Sequence, residues 1–436
     1  MSEQKSAQIS PIEIDPKNPR TVQRNFRLGV INGVLFSFGE SFLDPTLVLV
    51  TFLSYLTNSP ILLGLLVPLR DASWSIPQFF VSNYIQRQPL KIAVYRSGAM
   101  LRIFFWGMLS VVITFVREPT LLLVLFYLAF GLSSIASGLI GLPFLEVVSK
   151  TIPPSRRGEL YAWRLGLSGL MGIGASVVVR WMISPQSPLA FPYNFGLLAF
   201  TFFVFASSAL VIFFGVQEKP DDHLPPNRKI GEQLKVAIRE LRTNPNYRRL
   251  MTANSLMQLS SAATPFFAVY VQQTLGGGKE WVGVYLGVIM AANLLSNLVF
   301  GRISRKINNQ VVFFISAAAG LMMLSIVLAL TFLAEPLNIS ATTASIWLIP
   351  AFFFSGIRGT GYGVSGNSLL LNAAPAEEHS VIIGFSQSFL GMVLLATAVN
   401  GVVIRLFGFQ TLVLMVWLFN LAALWQSSRI VDQRND

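Results

Sequence analysis

Apolar residues fill about twelve consecutive stretches of this chain, each roughly 20 to 28 residues long and divided from the next by a short polar connector. A bilayer hydrocarbon core about 30 Å thick takes roughly 20 helical residues to cross. The pattern therefore predicts twelve transmembrane helices, over 25–55, 60–85, 92–116, 120–149, 158–183, 189–216, 247–274, 281–303, 310–334, 343–372, 380–406 and 410–428. An even number of crossings puts both termini on one side. The expected organisation is a polar tail (1–23), a six-helix bundle (24–216), a central connector (217–246), a second bundle (247–428) and a short tail (429–436).

Charge sets the orientation. Of 32 Lys and Arg, 24 fall in the tails and the even-numbered connectors, and only Arg117, Arg180, Lys279 and Arg405 adjoin the odd ones. By the positive-inside rule both termini are cytoplasmic, and a bacterial plasma (inner) membrane is the expected location. The same alternation explains the net charge of +12 without a nucleic-acid partner. Charged residues make up 12% of the chain, half the usual share of about 25%. No cysteine is present, which excludes disulfides, thiolate metal sites and Cys nucleophiles. His223 and His379 fall in connectors, so no metal or other cofactor is expected, and no removable leader is expected.

Within the central connector, 231–243 is amphipathic, with Leu234, Ala237, Ile238 and Leu241 on one face and Lys235, Arg239 and Arg242 largely opposite. It reads as a helix on the membrane surface, with a partner-docking helix as the alternative. The halves echo one another: Gly64, Ser82 and Arg87 recur as Gly283, Gly301 and Lys306 at one constant offset, a sign of duplication of a kind common in transporters.

The connector after the second span runs Ser82-Asn83-Tyr84-Ile85-Gln86-Arg87-Gln88-Pro89-Leu90-Lys91, and that after the eighth Gly301-Arg302-Ile303-Ser304-Arg305-Lys306-Ile307-Asn308-Asn309-Gln310. With twelve spans and a basic central connector, these resemble the major facilitator superfamily, across about residues 24–428. The resemblance implies two pseudo-symmetric six-helix bundles rocking about a central site. The family's connector carries an Asp that latches the cytoplasmic side. Here Gln86 and Arg305 stand in its place, so this chain must latch differently or weakly. The connector Pro153 to Gly158, and Pro375 before span 11, also look family-like. Span 5 has Gly166, Gly169, Gly172 and Gly174 but lacks the Gly-Pro pair of the family's drug exporters.

Ionisable residues inside spans are costly and usually face a cavity or a partner. Glu40 and Asp44, four apart on one helix face with Pro45 bending the helix after them, are candidates for proton coupling, together with Asp71. The alternative is a static ion pair with Arg70. Because neighbours on a helix point about 100° apart, Arg70 and Asp71 are not expected to face one partner. Arg358, within Ser355-Gly356-Ile357-Arg358-Gly359-Thr360-Gly361-Tyr362-Gly363, reads as an anchor for an anionic solute, or else as a cation neutralised by an internal acid. Tyr362, Arg70, Asn254, Gln258, Asn293, Asn297 and Gln387 complete the candidate binding residues. Arg87, Lys306, Glu146, Arg164 and Arg102 are candidate gate residues, with a Glu146–Arg164 bridge that Arg102 could share.

The reading is an all-α secondary transporter for a small anionic or amphipathic organic solute, coupled to protons, acting as a monomer in the bilayer. A lipid- or pigment-type carrier and a non-transporting scaffold are the alternatives. A scaffold predicts internal charges that are all mutually paired. With no phosphate-binding loop and no intramembrane His or Cys, neither an ATP-driven pump nor an enzyme is expected.

Overall fold

A computed structural model describes residues 18–221, 230–373 and 379–432. The residues before 18, His223, Pro225, Pro226 and Pro375 lie outside them. Every regular element among the described residues is helical: α1 (Pro19–Phe42), α2 (Val48–Ser54), α3 (Pro60–Gln86), α4 (Lys91–Phe115), α5 (Pro119–Thr151), α6 (Pro154–Ile183), α7 (Tyr193–Phe213), α8 (Ile230–Thr243), α9 (Pro245–Ser261), α10 (Pro265–Thr274), α11 (Trp281–Lys306), α12 (Asn309–Leu333), α13 (Ala341–Ala373), α14 (His379–Ala396) and α15 (Asn400–Ser427), with a 3-10 turn at Thr397–Val399.

Six of these helices open on proline, whose missing amide proton costs nothing in a first turn. Asn18, Glu118 and Asn244 cap three of them through side-chain acceptors. The Asn18 cap starts α1 at Pro19, inside what the pattern assigns to a polar tail. Seven helical runs among the described residues are long and apolar enough to cross a membrane. The last of these, Val381–Ser427, divides at Gly408, whose φ of 85° and ψ of 166° lie in a region open essentially only to glycine. Spans 11 and 12 meet there.

The first and seventh spans are not continuous. Each breaks just before a proline, α1 giving way to α2 at Asp44-Pro45 and α9 to α10 at Thr264-Pro265. Proline cannot donate the intrahelical bond and clashes with the preceding turn. The breaks stand at equivalent places in the two halves and extend the duplication read from the connectors. Together the helices form the twelve-helix architecture, with α8 as the separate amphipathic helix packed on α14 and α9.

The bundles meet through α3 with α14 and the start of α15, through α6 with α11, and through α10 with α2 and α3. Contact is tightest at the face remote from the termini. There a Cβ on Gly401 would overlap the backbone of Pro60 and Ile61, and one on Gly283 would overlap that of Arg180. At the same face the Lys279 ammonium lies 3.2 Å from the Tyr55 ring centre, and Gln273 donates to Asn58 at 3.4 Å. Toward the termini α6 and α11 have no such contact, and nothing described lies within 4 Å of where a Cβ on Gly166 or Gly301 would sit. Between these two helices the bundles are thus closed together at the distal face and apart toward the termini face.

Candidate functional site

The break at Asp44 shapes the first part of the site. Glu40 is in the last turn of α1, while Asp44 lies beyond its end and accepts from the Leu47 amide at 2.8 Å. The two carboxylates therefore do not share one helix face. They converge because the chain turns at Pro45, and both line a cavity of about 380 Å³ inside the first bundle. Arg70, Asp71 and Arg102 line it too, beside Trp74 and Trp106.

Arg70 and Asp71 share no third partner: Arg70 reaches Glu40, and Asp71 lines the cavity with Arg70 itself beside it. The Arg70 side chain is long enough to bend back. Its Nη2 is 3.9 Å from Glu40 Oε1 and its Nε 3.7 Å from Asp71 Oδ1. Both separations exceed ordinary hydrogen-bond length. Arg102 is a second correction. It sits in this cavity and not beside Glu146, with its guanidinium 4.3 Å from the Trp106 ring centre and 5.1 Å from that of Phe36. Its Nε is buried without a hydrogen-bond partner.

A second cavity, of about 220 Å³, lies between the bundles. From the second bundle it is lined by Arg358, Tyr362, Gln258 and Ser261, and from the first by Asp71, Thr46 and Val67. Asp71 thus borders both cavities. Arg358 is only 7% exposed. Its Nη2 donates to the Met257 carbonyl and, at 3.0 Å, to Ser260 Oγ, while its Nε has no partner. Ser260 in turn donates to Asn420 Oδ1 at 3.0 Å, and Gly320 leaves room for the arginine stem. No described carboxylate lies within ion-pair distance of Arg358. Gln258 Nε2 donates to the Tyr362 hydroxyl at 3.4 Å.

The other candidates are placed differently. Asn254 is buried and its Oδ1 lacks a partner. Asn293 accepts from Thr360 at 3.1 Å and so ties α11 to α13, while Asn297 donates to the Asn293 carbonyl within its own helix. Gln387 is half-buried on α14. Arg87 and Lys306 are exposed at the termini ends of α3 and α11. Glu146 and Arg164 do not meet: Glu146 is 4.0 Å from Lys91, whereas Arg164 donates to the Gly29 carbonyl at 2.6 Å and to Asn32 at 3.0 Å.

Pattern reading overlooked Ser260, Asn420 and, at the termini face, Glu218. The polar Asn420 within a span was a usable signal, whereas nothing local marks Glu218. Its carboxylate is fully buried and caps α4, accepting from the Lys91 and Ile92 amides at 3.1 and 2.7 Å and from Lys150 Nζ at 2.5 Å. Asp221 adds contacts to Lys91 at 3.1 Å and Lys150 at 3.0 Å. Two acids from the central connector thus hold the start of α4 and the end of α5.

A helical membrane protein of two bundles, with ionisable groups gathered at the cleft between them, has the architecture of a transporter. The sequence profile of the Major Facilitator Superfamily matches residues 29–399, and the chain belongs to that family. Solved structures of the same fold include a point mutant of the nucleoside transporter NupG (TM-score 0.69, 11% identity, covering 94% of this chain and 99% of that one). A D-xylose-proton symporter (0.69, 14%, 95% and 99%) and a bacterial homologue of the iron transporter ferroportin in its outward-facing state (0.63, 15%, 93% and 98%) are also similar. No curated protein sequence matches the chain.

Proposed function

We propose that this protein is a secondary active transporter that carries a small organic solute bearing an anionic group, by alternating access, with protons as the coupling ion. The observation that carries the reading is Arg358, a buried guanidinium on the wall of the interbundle cavity with no described acid to neutralise it. Leaving such a charge unpaired costs several kcal/mol, and a carboxylate, phosphate or sulfonate on the solute would offset that cost. A scaffold would instead pair its internal charges with one another, which neither Arg358 nor the orphaned Nε of Arg102 fits. Glu40, Asp44 and Asp71 are the proton-carrying candidates. Asp71 borders both cavities, so protonation in one and occupancy of the other act on a single carboxyl. That a D-xylose-proton symporter shares the fold is in keeping with proton coupling. The expected setting is a plasma membrane, with both termini cytoplasmic and a single chain as the working unit.

The test is proton flux in proteoliposomes holding the purified protein, read with an internal pH dye while a panel of organic anions is added. One or more anions should move protons with the wild type and not with Arg358→Gln. Undiminished flux with Arg358→Gln, or solute movement with no proton flux at any pH, would overturn the proposal.

A further inference from the structure

We infer that the solute is a zwitterion, a short molecule whose anionic group meets Arg358 on one wall of the interbundle cavity and whose ammonium meets Asp71 on the other; this rests on the transporter reading above. The two residues belong to different bundles, Asp71 to α3 and Arg358 to α13. They border the same cavity, and no ion pair joins them.

Each charge is incompletely satisfied. Arg358 has only neutral acceptors, and its Nε has none. Asp71 has one cationic neighbour, Arg70, at 3.7 Å, and Arg70 divides itself between Asp71 and Glu40. No hydrogen bond to the Asp71 carboxylate occurs among the described residues, although an ionised carboxylate has about four acceptor positions. A carboxylate-only solute would satisfy Arg358 and leave a second anion facing Asp71. An amine-only solute would satisfy Asp71 and meet Arg358 as a like charge. A neutral solute would answer neither. Only a molecule with both signs, held apart by a linker, answers both walls at once.

The space between the walls suits such a linker. Val67, Met257 and Pro265 present apolar surface, while Gln258, Ser261 and Tyr362 present polar groups. The cavity of about 220 Å³ is smaller than the roughly 300–1,000 Å³ of sites for drug-sized ligands. A short chain is therefore called for. Because its two ends hold opposite bundles, the solute would also draw them together on binding. Asp71 then acts as a ligand to the ammonium, so solute and proton compete for its carboxyl, with Glu40 and Asp44 as the other proton-carrying candidates.

The experiment is a thermal-shift titration of the full-length protein with ω-amino acids from glycine to 6-aminohexanoate, with the monocarboxylate and the alkylamine of matching length as paired probes. One amino acid is expected to raise the melting temperature at a concentration at least about tenfold lower than either partner does. Asp71→Asn should abolish that preference, leaving amino acid and monocarboxylate within about threefold. Arg358→Gln should remove the response to both, and Arg358→Lys, which keeps a cation, guards against misfolding of the glutamine variant. A monocarboxylate as effective as its amino acid in the wild type, or a preference that survives Asp71→Asn, would overturn the zwitterion. So would a series without any response. In each case Arg358-dependent proton flux with another anion would leave the transporter reading standing, and its absence would end both.

Discussion

Replacing Glu218 by alanine removes three contacts from one buried carboxylate: the Lys91 and Ile92 amides at the start of α4, and Lys150 Nζ. Loss of a helix N-cap costs about 1 kcal/mol. The negative charge at a helix N-terminus adds up to about 1 kcal/mol. Lys150 is 21% exposed and keeps Asp221 at 3.0 Å, so its share resembles that of a partly solvated pair, about 1 kcal/mol. The total is about 3 kcal/mol. For a bundle of this size each kcal/mol moves the melting temperature by about 2–4 °C, which gives a fall of about 6–12 °C. Glu218→Gln retains an acceptor for one amide and should lose about half as much. Lys150→Ala leaves both amides capped but leaves the buried carboxylate without its cation, and should lose about 3–5 kcal/mol. Tryptophan fluorescence of the detergent-solubilised protein during heating reads all three. An alanine variant melting within about 1 °C of the wild type would refute the claim that the connector is clamped to the first bundle through this residue.

Other outcomes follow from the same geometry. Burial pushes the Asp221 carboxyl up, but the hydrogen bonds and charges of Lys150 and Lys91 hold it below its ordinary value. The clamp's contribution is therefore present at neutral pH and lost as pH falls below about 4, so the difference in melting temperature between wild type and Asp221→Asn should shrink there. Burial lowers the Lys279 ammonium to about 8. Since its folded value lies below its unfolded one of about 10.4, stability should rise with pH between these values, and Lys279→Gln should abolish that rise. Valine at Gly401 or Gly283 forces the bundles apart at the distal face. In this cysteine-free chain, a single cysteine at Ser261 should then label faster with an impermeant maleimide from that face, and unchanged labelling would count against the closed geometry. Gly408→Ala places a side chain at φ 85° and should cost about 1–3 kcal/mol. Gly166→Ala, with open space around it, should be neutral or slightly stabilising, a contrast that paired melting curves would reveal.

Much of the architecture was legible along the chain because the bilayer imposes a one-dimensional rule: a span must be long and apolar. Span number, the connector helix and the intramembrane ions at Glu40, Asp44, Arg70, Asp71 and Arg358 are visible in residue order alone, and Pro45 and Pro265 mark where helices fail. Partnership is another matter, because it depends on how helices rotate about their axes and on how far long side chains reach. That is why Arg102 turned out to share a cavity with Glu40 and the aromatic wall instead of meeting Glu146, why Arg70 bends back to Asp71, and why Asn293 ties α11 to α13. Distance along the chain hid Glu218 altogether, since it caps a helix that begins 127 residues earlier. The sequence by itself determined how many times the chain crosses and which residues carry charge inside the membrane. Only the tertiary structure decided that Asp71 and Arg358 border one cavity, because that meeting is made by the packing of two bundles and leaves no periodic trace in either.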